Sequence, residues 1–136
     1  FLVSTDDGSC GHKGIVTDIL KRFLDKKEKI DLVLCVGPVR MMQAVAAMTR
    51  GPAIKTLVSL NPIMVDGTGL CGSCRLTIDG KARFVCVDGP EFDAHLVDFD
   101  ELVKRQRMYI PHEKESLDCF KRKNAPAKKK FKLFGG

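Results

Sequence analysis

Asp66 is followed five residues later by Cys71, then by Cys74 and, twelve residues further on, by Cys86. This spacing constrains the fold more than any apolar pattern in the chain, because a short loop and a later segment must carry four donors to one small volume. Four thiolates spaced C-x4-C-x2-C plus one more distant Cys hold a [2Fe–2S] cluster, and positions 66, 71, 74 and 86 reproduce that spacing with a carboxylate in the first place. Thiolate sulfur is the soft donor that iron and sulfide favour. Gly67, Gly69 and Gly72 let the backbone wrap closely and aim its N–H groups inward, toward negative charge.

The following residues supply the return. Arg75 to Ile78, then Asp79-Gly80, then Lys81 to Val87 read as a β-hairpin, since Asp-Gly between alternating runs favours a two-residue turn. Cys86 is therefore expected on the second strand. Other chemistries use part of the same pattern. A structural zinc module, attached to an α/β interaction domain, would take Asp66 or His95 as its fourth ligand. Cys71 and Cys74 have the spacing of a redox disulfide, and Asp66-Gly67 has the form of a plain turn. Cys35 reads as a core thiol, whereas Cys10 lies in a turn and Cys119 near the basic tail.

The upstream half has a different rhythm. F-L-V-S-T at the start reads as a buried strand already under way, which suggests a fragment lacking its upstream half. Ile15, Val16, Ile19, Leu20, Phe23 and Leu24 recur with helical period and predict a helix ending near Lys29. Leu32 to Val36 is a continuous apolar run, as in a parallel strand covered on both faces. Gly37-Pro38 then opens a second helix that should end at Gly51, and Ile54 to Leu60 forms a third strand. The alternation predicts an α/β fold: the second half of a parallel-sheet nucleotide-binding domain over 1–60, then a small β-hairpin iron–sulfur domain over 61–110 with one short helix. That helix spans 97–106, with Asp98 as N-cap and Glu101 completing a capping box. Residues 111–136 read as a basic, flexible tail.

Charge narrows the partners. The net charge is +6, but Lys121, Arg122, Lys123, Lys128, Lys129, Lys130 and Lys132 follow the last acidic residue, Asp118, and without these seven the rest is one unit negative. Asp88, Glu91, Asp93, Asp98, Asp100 and Glu101 make an acidic stretch unsuited to a nucleic-acid surface. No apolar run approaches the roughly 18 residues of a membrane helix, so neither nucleic acid nor membrane is expected as a partner and a cytoplasmic setting is the default.

T-D-D-G-S at 5–9 and C-V-G-P at 35–38 each follow a strand, at the sheet edge where ligands usually bind. Asp6, Asp7 and Ser9 can hydrogen-bond a ribose or an amide, or simply cap the helix entry. The phosphate-cradling G-x-G-x-x-G is absent.

Together, T-D-D-G-S-C-G-H-K-G-I-V-T-D, V-G-P-V-R-M-M, S-L-N-P-I-M-V-D-G-T-G-L-C-G-S-C-R and F-V-C-V-D-G-P-E-F-D resemble the C-terminal part of ferredoxin–NADP reductase-like electron-transfer subunits. That group includes subunits of dihydroorotate dehydrogenase, sulfide dehydrogenase and sulfhydrogenase, and of NADH-dependent ferredoxin:NADP oxidoreductase. The resemblance covers about residues 3 to 107, and Asp at the first ligand position looks like the last of these branches. It implies Asp66, Cys71, Cys74 and Cys86 as cluster ligands, and Thr5, Asp6, Asp7, Gly8, Gly37, Pro38 and Met41 at a cofactor-binding edge. It also implies FAD on an upstream barrel, exchange of electrons with NAD(P)H, and a partner subunit or ferredoxin as acceptor. The resemblance makes the chain part of an NAD(P)H-linked oxidoreductase, with no turnover by the segment alone.

Overall fold

The computed structural model describes residues 1–124, which divide into two units, 1–106 and 107 onward. In the first, β1 (Ser4–Thr5) pairs in parallel with β2 (His12–Lys13), and α1 spans Val16–Asp25. β3 (Val33–Val36), α2 (Val39–Arg50) and β4 (Thr56–Ser59) follow, with β3 and β4 parallel. β5 (Arg75–Ile78) and β6 (Lys81–Phe84) form an antiparallel hairpin, succeeded by the helical turn α3 (Val85–Asp88), β7 (Glu91–Asp93), a 3₁₀ turn at Ala94–Leu96 and α4 (Phe99–Gln106). This mixed α/β architecture is the fold class expected.

The second helix forms where its phase predicts. Pro38 ends the extended approach and its carbonyl accepts from Met42 N–H at 3.1 Å, while Val39, Met42, Val45, Ala46 and Thr49 fall on one buried face. That face covers Cys35 and Val58 of the sheet and continues to Leu60, Leu76, Ala94 and Leu102 in one core. The hairpin turn is also as read. Asp79 and Gly80 take φ of 52° and 68°, the left-handed pair that Asp-Gly supplies.

Several expectations are corrected. Phe1 and Leu2 are exposed, and the first strand pairs only with β2, because the chain turns back at once through Thr5–Gly14 hydrogen bonding. α1 stops at Asp25, not near Lys29: Lys27 adopts φ 54°, and Lys27 and Glu28 donate back to Leu24 and Phe23, a closure that ends the helix. β3 buries Cys35, but Leu34 and Val36 on its other face are exposed, since no described element covers them.

The unanticipated β7 pairs antiparallel with β4 (Val58↔Phe92), returning the cysteine-bearing segment to the same sheet. Asp98 Oδ1 caps α4 by accepting from Glu101 N–H at 2.8 Å, but Glu101 Oε2 accepts from Thr77 N–H, also at 2.8 Å. Only half of the capping box therefore forms, because the second carboxylate ties α4 to the hairpin.

In the second unit α5 (Ile110–Lys123) opens with Pro111 in its first turn and contains no buried residue. Pro there is pre-organised for helix, and basic residues at Lys121–Lys123 suit its carbonyl end. The flexible tail expected from residue 111 is thus helical through Lys123; Lys128, Lys129, Lys130 and Lys132 lie outside the described residues. Among the described residues no helix is long and apolar enough to cross a membrane.

Candidate metal centre

The segment from Asp66 to Ser73 is exposed or half-buried throughout, and polar contacts define its course. Asp66 Oδ1 accepts from Thr68 N–H at 2.9 Å and Oδ2 from Cys71 N–H at 3.0 Å. These bonds, Thr68 first, hold the carboxyl below its ordinary pKa. Cys71 Sγ lies 3.2 Å from Ser73 Oγ and 3.5 Å from Ser73 N. Donation to sulfur from the Ser73 hydroxyl lowers the thiol's pKa and favours the thiolate, the form that ligates metal.

Cys74 begins the return into the core and is 2% exposed. Its Sγ lies 3.3 Å from Cys86 Sγ, twelve residues away. Cys86 is not on the hairpin strand as expected. The strand ends at Phe84 because Asp88 Oδ2 accepts from Phe84 N–H at 2.7 Å and buried Val85 starts a helical turn, and Cys86 rides on that turn. The hydrogen bond with Cys74 raises the pKa of the Cys86 thiol. Gly69 passes over this turn with φ 82°, so close that a Cβ would stand 3.1 Å from Val87.

The donor set fits a thiolate-held metal group in kind. Sulfurs on one tetrahedral metal with bonds of about 2.3 Å stand roughly 3.8 Å apart, and the Cys74–Cys86 pair is within about half an ångström of that separation. Cys71 and Asp66 add one activated thiol and one ionised carboxylate from the flanking loop. Among the described residues no three His, Cys, Asp or Glu side chains already converge at metal-holding distance, and Asp66 faces its own loop amides. His95, the other possible fourth donor, has Nε2 3.1 Å from Thr49 Oγ1, under α2.

A second feature lies between the start of α1 and the start of α2. A cavity of about 360 Å³ is lined by Asp6, Thr17, Pro38, Arg40 and Met41, among others. Three of the residues implied at the cofactor-binding edge, Asp6, Pro38 and Met41, thus come together, and Gly37 lies so close to Met41 that a Cβ would meet its Cε at 2.5 Å. Thr5 and Asp7 are instead spent on the loop itself. Thr5 Oγ1 donates to the Cys10 carbonyl, and Asp7 Oδ1 accepts from Ser9 N–H, which lowers the Asp7 pKa. Gly8 takes φ 78° in the same turn. Thr17 and Arg40 were missed by sequence reasoning; Arg40, two residues beyond Pro38 on the same helix start, carried a signal in its position.

Comparison with known proteins defines the class. Residues 61–98 match the iron–sulfur cluster binding domain of dihydroorotate dehydrogenase B. Over this segment the chain is thus similar to an iron–sulfur cluster binding domain, and over most of its length it is similar to part of electron-transfer subunits.

Among individual relatives, it is 50% identical over 119 residues to a dihydroorotate dehydrogenase B (NAD(+)) electron transfer subunit homolog of Thermotoga maritima, covering 88% of this chain and 42% of that protein. It is 51% identical over 112 residues to an uncharacterized protein in the adh 3' region of Clostridium beijerinckii, covering 82% and 38%. A solved structure of an NADH-dependent reduced ferredoxin-NADP oxidoreductase superposes with a TM-score of 0.77 at 48% identity, over 88% of this chain and 42% of that one. The chain therefore spans about two fifths of the length of these relatives.

Proposed function

We propose that this chain is the [2Fe–2S]-holding part of an electron-transfer subunit in an NAD(P)H-linked oxidoreductase, with Asp66, Cys71, Cys74 and Cys86 as ligands. The observation that carries the reading is the Cys74–Cys86 sulfur pair, 3.3 Å apart inside the segment matching an iron–sulfur domain. When bound, such a cluster supplies one-electron storage and release. The chain's own residues set its surroundings. Cys74 and Cys86 fix one side from the core, Ser73 and the loop amides donate toward sulfur, and burial on the hairpin side limits solvent.

Residues 1–60 are the C-terminal part of the NAD(P)-binding domain and 61–110 the cluster domain in this reading. The cavity at Asp6, Pro38 and Met41 faces the nucleotide, and FAD is bound by the rest of the assembly. Val65 and Leu70 in the loop and Val87 beside Cys86 are exposed, apolar surface against which a partner subunit or ferredoxin would exclude water during electron exchange.

Anaerobic purification followed by metal and sulfide analysis tests the reading. About two irons and two acid-labile sulfides per chain are expected, with a brown colour; one zinc and no sulfide overturns it. Asp66→Cys separates the fourth ligand from the rest, because exchanging oxygen for sulfur should change the EPR signal and the midpoint potential. An unchanged signal and potential would remove Asp66 from the ligand set.

A further inference from the structure

Arg105 lies on α4, whose Phe99 and Leu102 enter the core. Its Nη2 donates to the Ser73 carbonyl at 2.9 Å across 32 residues of chain. Its Nε is buried and has no acceptor among the described residues. The described ion pairs do not include it, and Glu101, four residues before it on α4, accepts instead from Thr77 N–H. A guanidinium is always charged and prefers planar, paired recognition. Here it is applied to one backbone carbonyl with a donor left over.

That carbonyl sits at the centre of the ligand loop. Ser73 places its hydroxyl and N–H 3.2 and 3.5 Å from Cys71 Sγ and directly precedes Cys74. Across a trans peptide the C=O and the next N–H point in opposite directions. Arg105, by holding the Ser73 carbonyl, turns the Cys74 N–H away from α4. One contact therefore governs the orientation of the segment between two thiolates.

We propose that Arg105 is a positioning residue for the metal centre, clamping the Cys71–Cys74 loop through Ser73 and setting an unneutralised positive charge beside it. The inference rests on the cluster reading above. A fixed positive charge favours the reduced, more negative state of a nearby group, so it raises the reduction potential. Hydrogen-bond partners of ligating residues typically change metal affinity by about 10- to 100-fold when removed.

The test compares Arg105→Gln and Arg105→Lys with the unchanged full chain, all prepared anaerobically. Iron and sulfide content, the rate of iron loss to a chelator, and the midpoint potential from an EPR-monitored titration are measured. Arg105→Gln should release iron at least about tenfold faster and show a more negative midpoint. Arg105→Lys keeps the charge on a differently shaped head, so its midpoint should stay near the original while iron release still accelerates. If Arg105→Gln fails to fold, the lysine variant decides: iron release at the original rate overturns the clamp. Midpoint and release both unchanged in Arg105→Gln, with iron content full, overturn this inference and leave the cluster reading intact. Unchanged protein that takes up neither iron nor sulfide overturns both.

Discussion

Helix α2 and the ligand loop are held in opposite ways. α2 buries five residues on one face, Val39, Met42, Val45, Ala46 and Thr49, and its position follows from apolar packing. Residues 64–73 bury none, and their course depends on Asp66 accepting two loop amides and on Ser73 donating to Cys71. The scaffold is thus shaped mainly by apolar packing, in which Cys74 shares, whereas the loop is shaped by polar contacts of Asp66, Cys71 and Ser73. A rigid wall carries Cys74 and Cys86, and an adaptable loop carries Asp66 and Cys71. In the proposed reading, such a division would let the core stand without metal while the loop reorganises on loading.

The contrast can be broken from the scaffold side first. Leu102 is fully buried between α4 and the rest of the core, so Leu102→Ala should lose about 2–5 kcal/mol in urea unfolding; an unchanged midpoint would mean that α4 adds little to the core. Thr49→Val removes a smaller but specific link. Thr56 Oγ1 donates to Thr49 Oγ1 at 2.8 Å, and Thr49 meets His95 Nε2 at 3.1 Å, joining α2, β4 and the turn after β7. Thr56 can still donate to the Ile54 carbonyl at 3.0 Å, so leaving His95 short of a partner should cost about 1–3 kcal/mol. Unfolding midpoints within error of the original would show that water replaces the hydroxyl.

Loop substitutions should behave differently. Cys71→Ser, at an exposed position, should shift the stability of metal-free protein by less than about 0.5 kcal/mol while lowering iron content sharply. A large loss of stability without metal would erase the distinction between wall and loop. The smallest effect concerns the turn at Asp7. Its pKa is lowered from the ordinary carboxyl value, chiefly by the Ser9 N–H. A carboxylate with a lowered folded-state pKa contributes stability above its unfolded value of about 3.9, and that contribution is lost as pH falls through the lower folded value. The Ser9 amide proton, followed by NMR, should titrate with a midpoint below the ordinary carboxyl value and lose this titration in Asp7→Asn. A midpoint at or above that value would mean that the turn bond is not formed in solution.

Local signals were read correctly where neighbours in sequence decide the outcome. Asp79-Gly80 specifies a left-handed turn pair by its own sterics, and Gly37-Pro38 followed by period-3.6 apolar residues specifies α2. Failures arose where a competing hydrogen bond won. Cys86 left the strand because Asp88, only four residues from Phe84, capped a helical turn, and Glu101 abandoned its own cap for distant Thr77. β3 was read as covered on both faces from its apolar content, but composition records only what a strand can bury, not what covers it.

The order of residues alone gave the spacing that proposes donors at 66, 71, 74 and 86, and it gave the strand–helix–strand rhythm and the hairpin, all read from spacing along the chain. Three things required the folded chain: the pairing of Cys74 with Cys86, the engagement of His95 by Thr49 across 46 residues, and the reach of Arg105 to Ser73 across 32. The physical reason is separation. Contacts between segments that far apart are selected by the common core that brings them together, and no local pattern at either end encodes the partner.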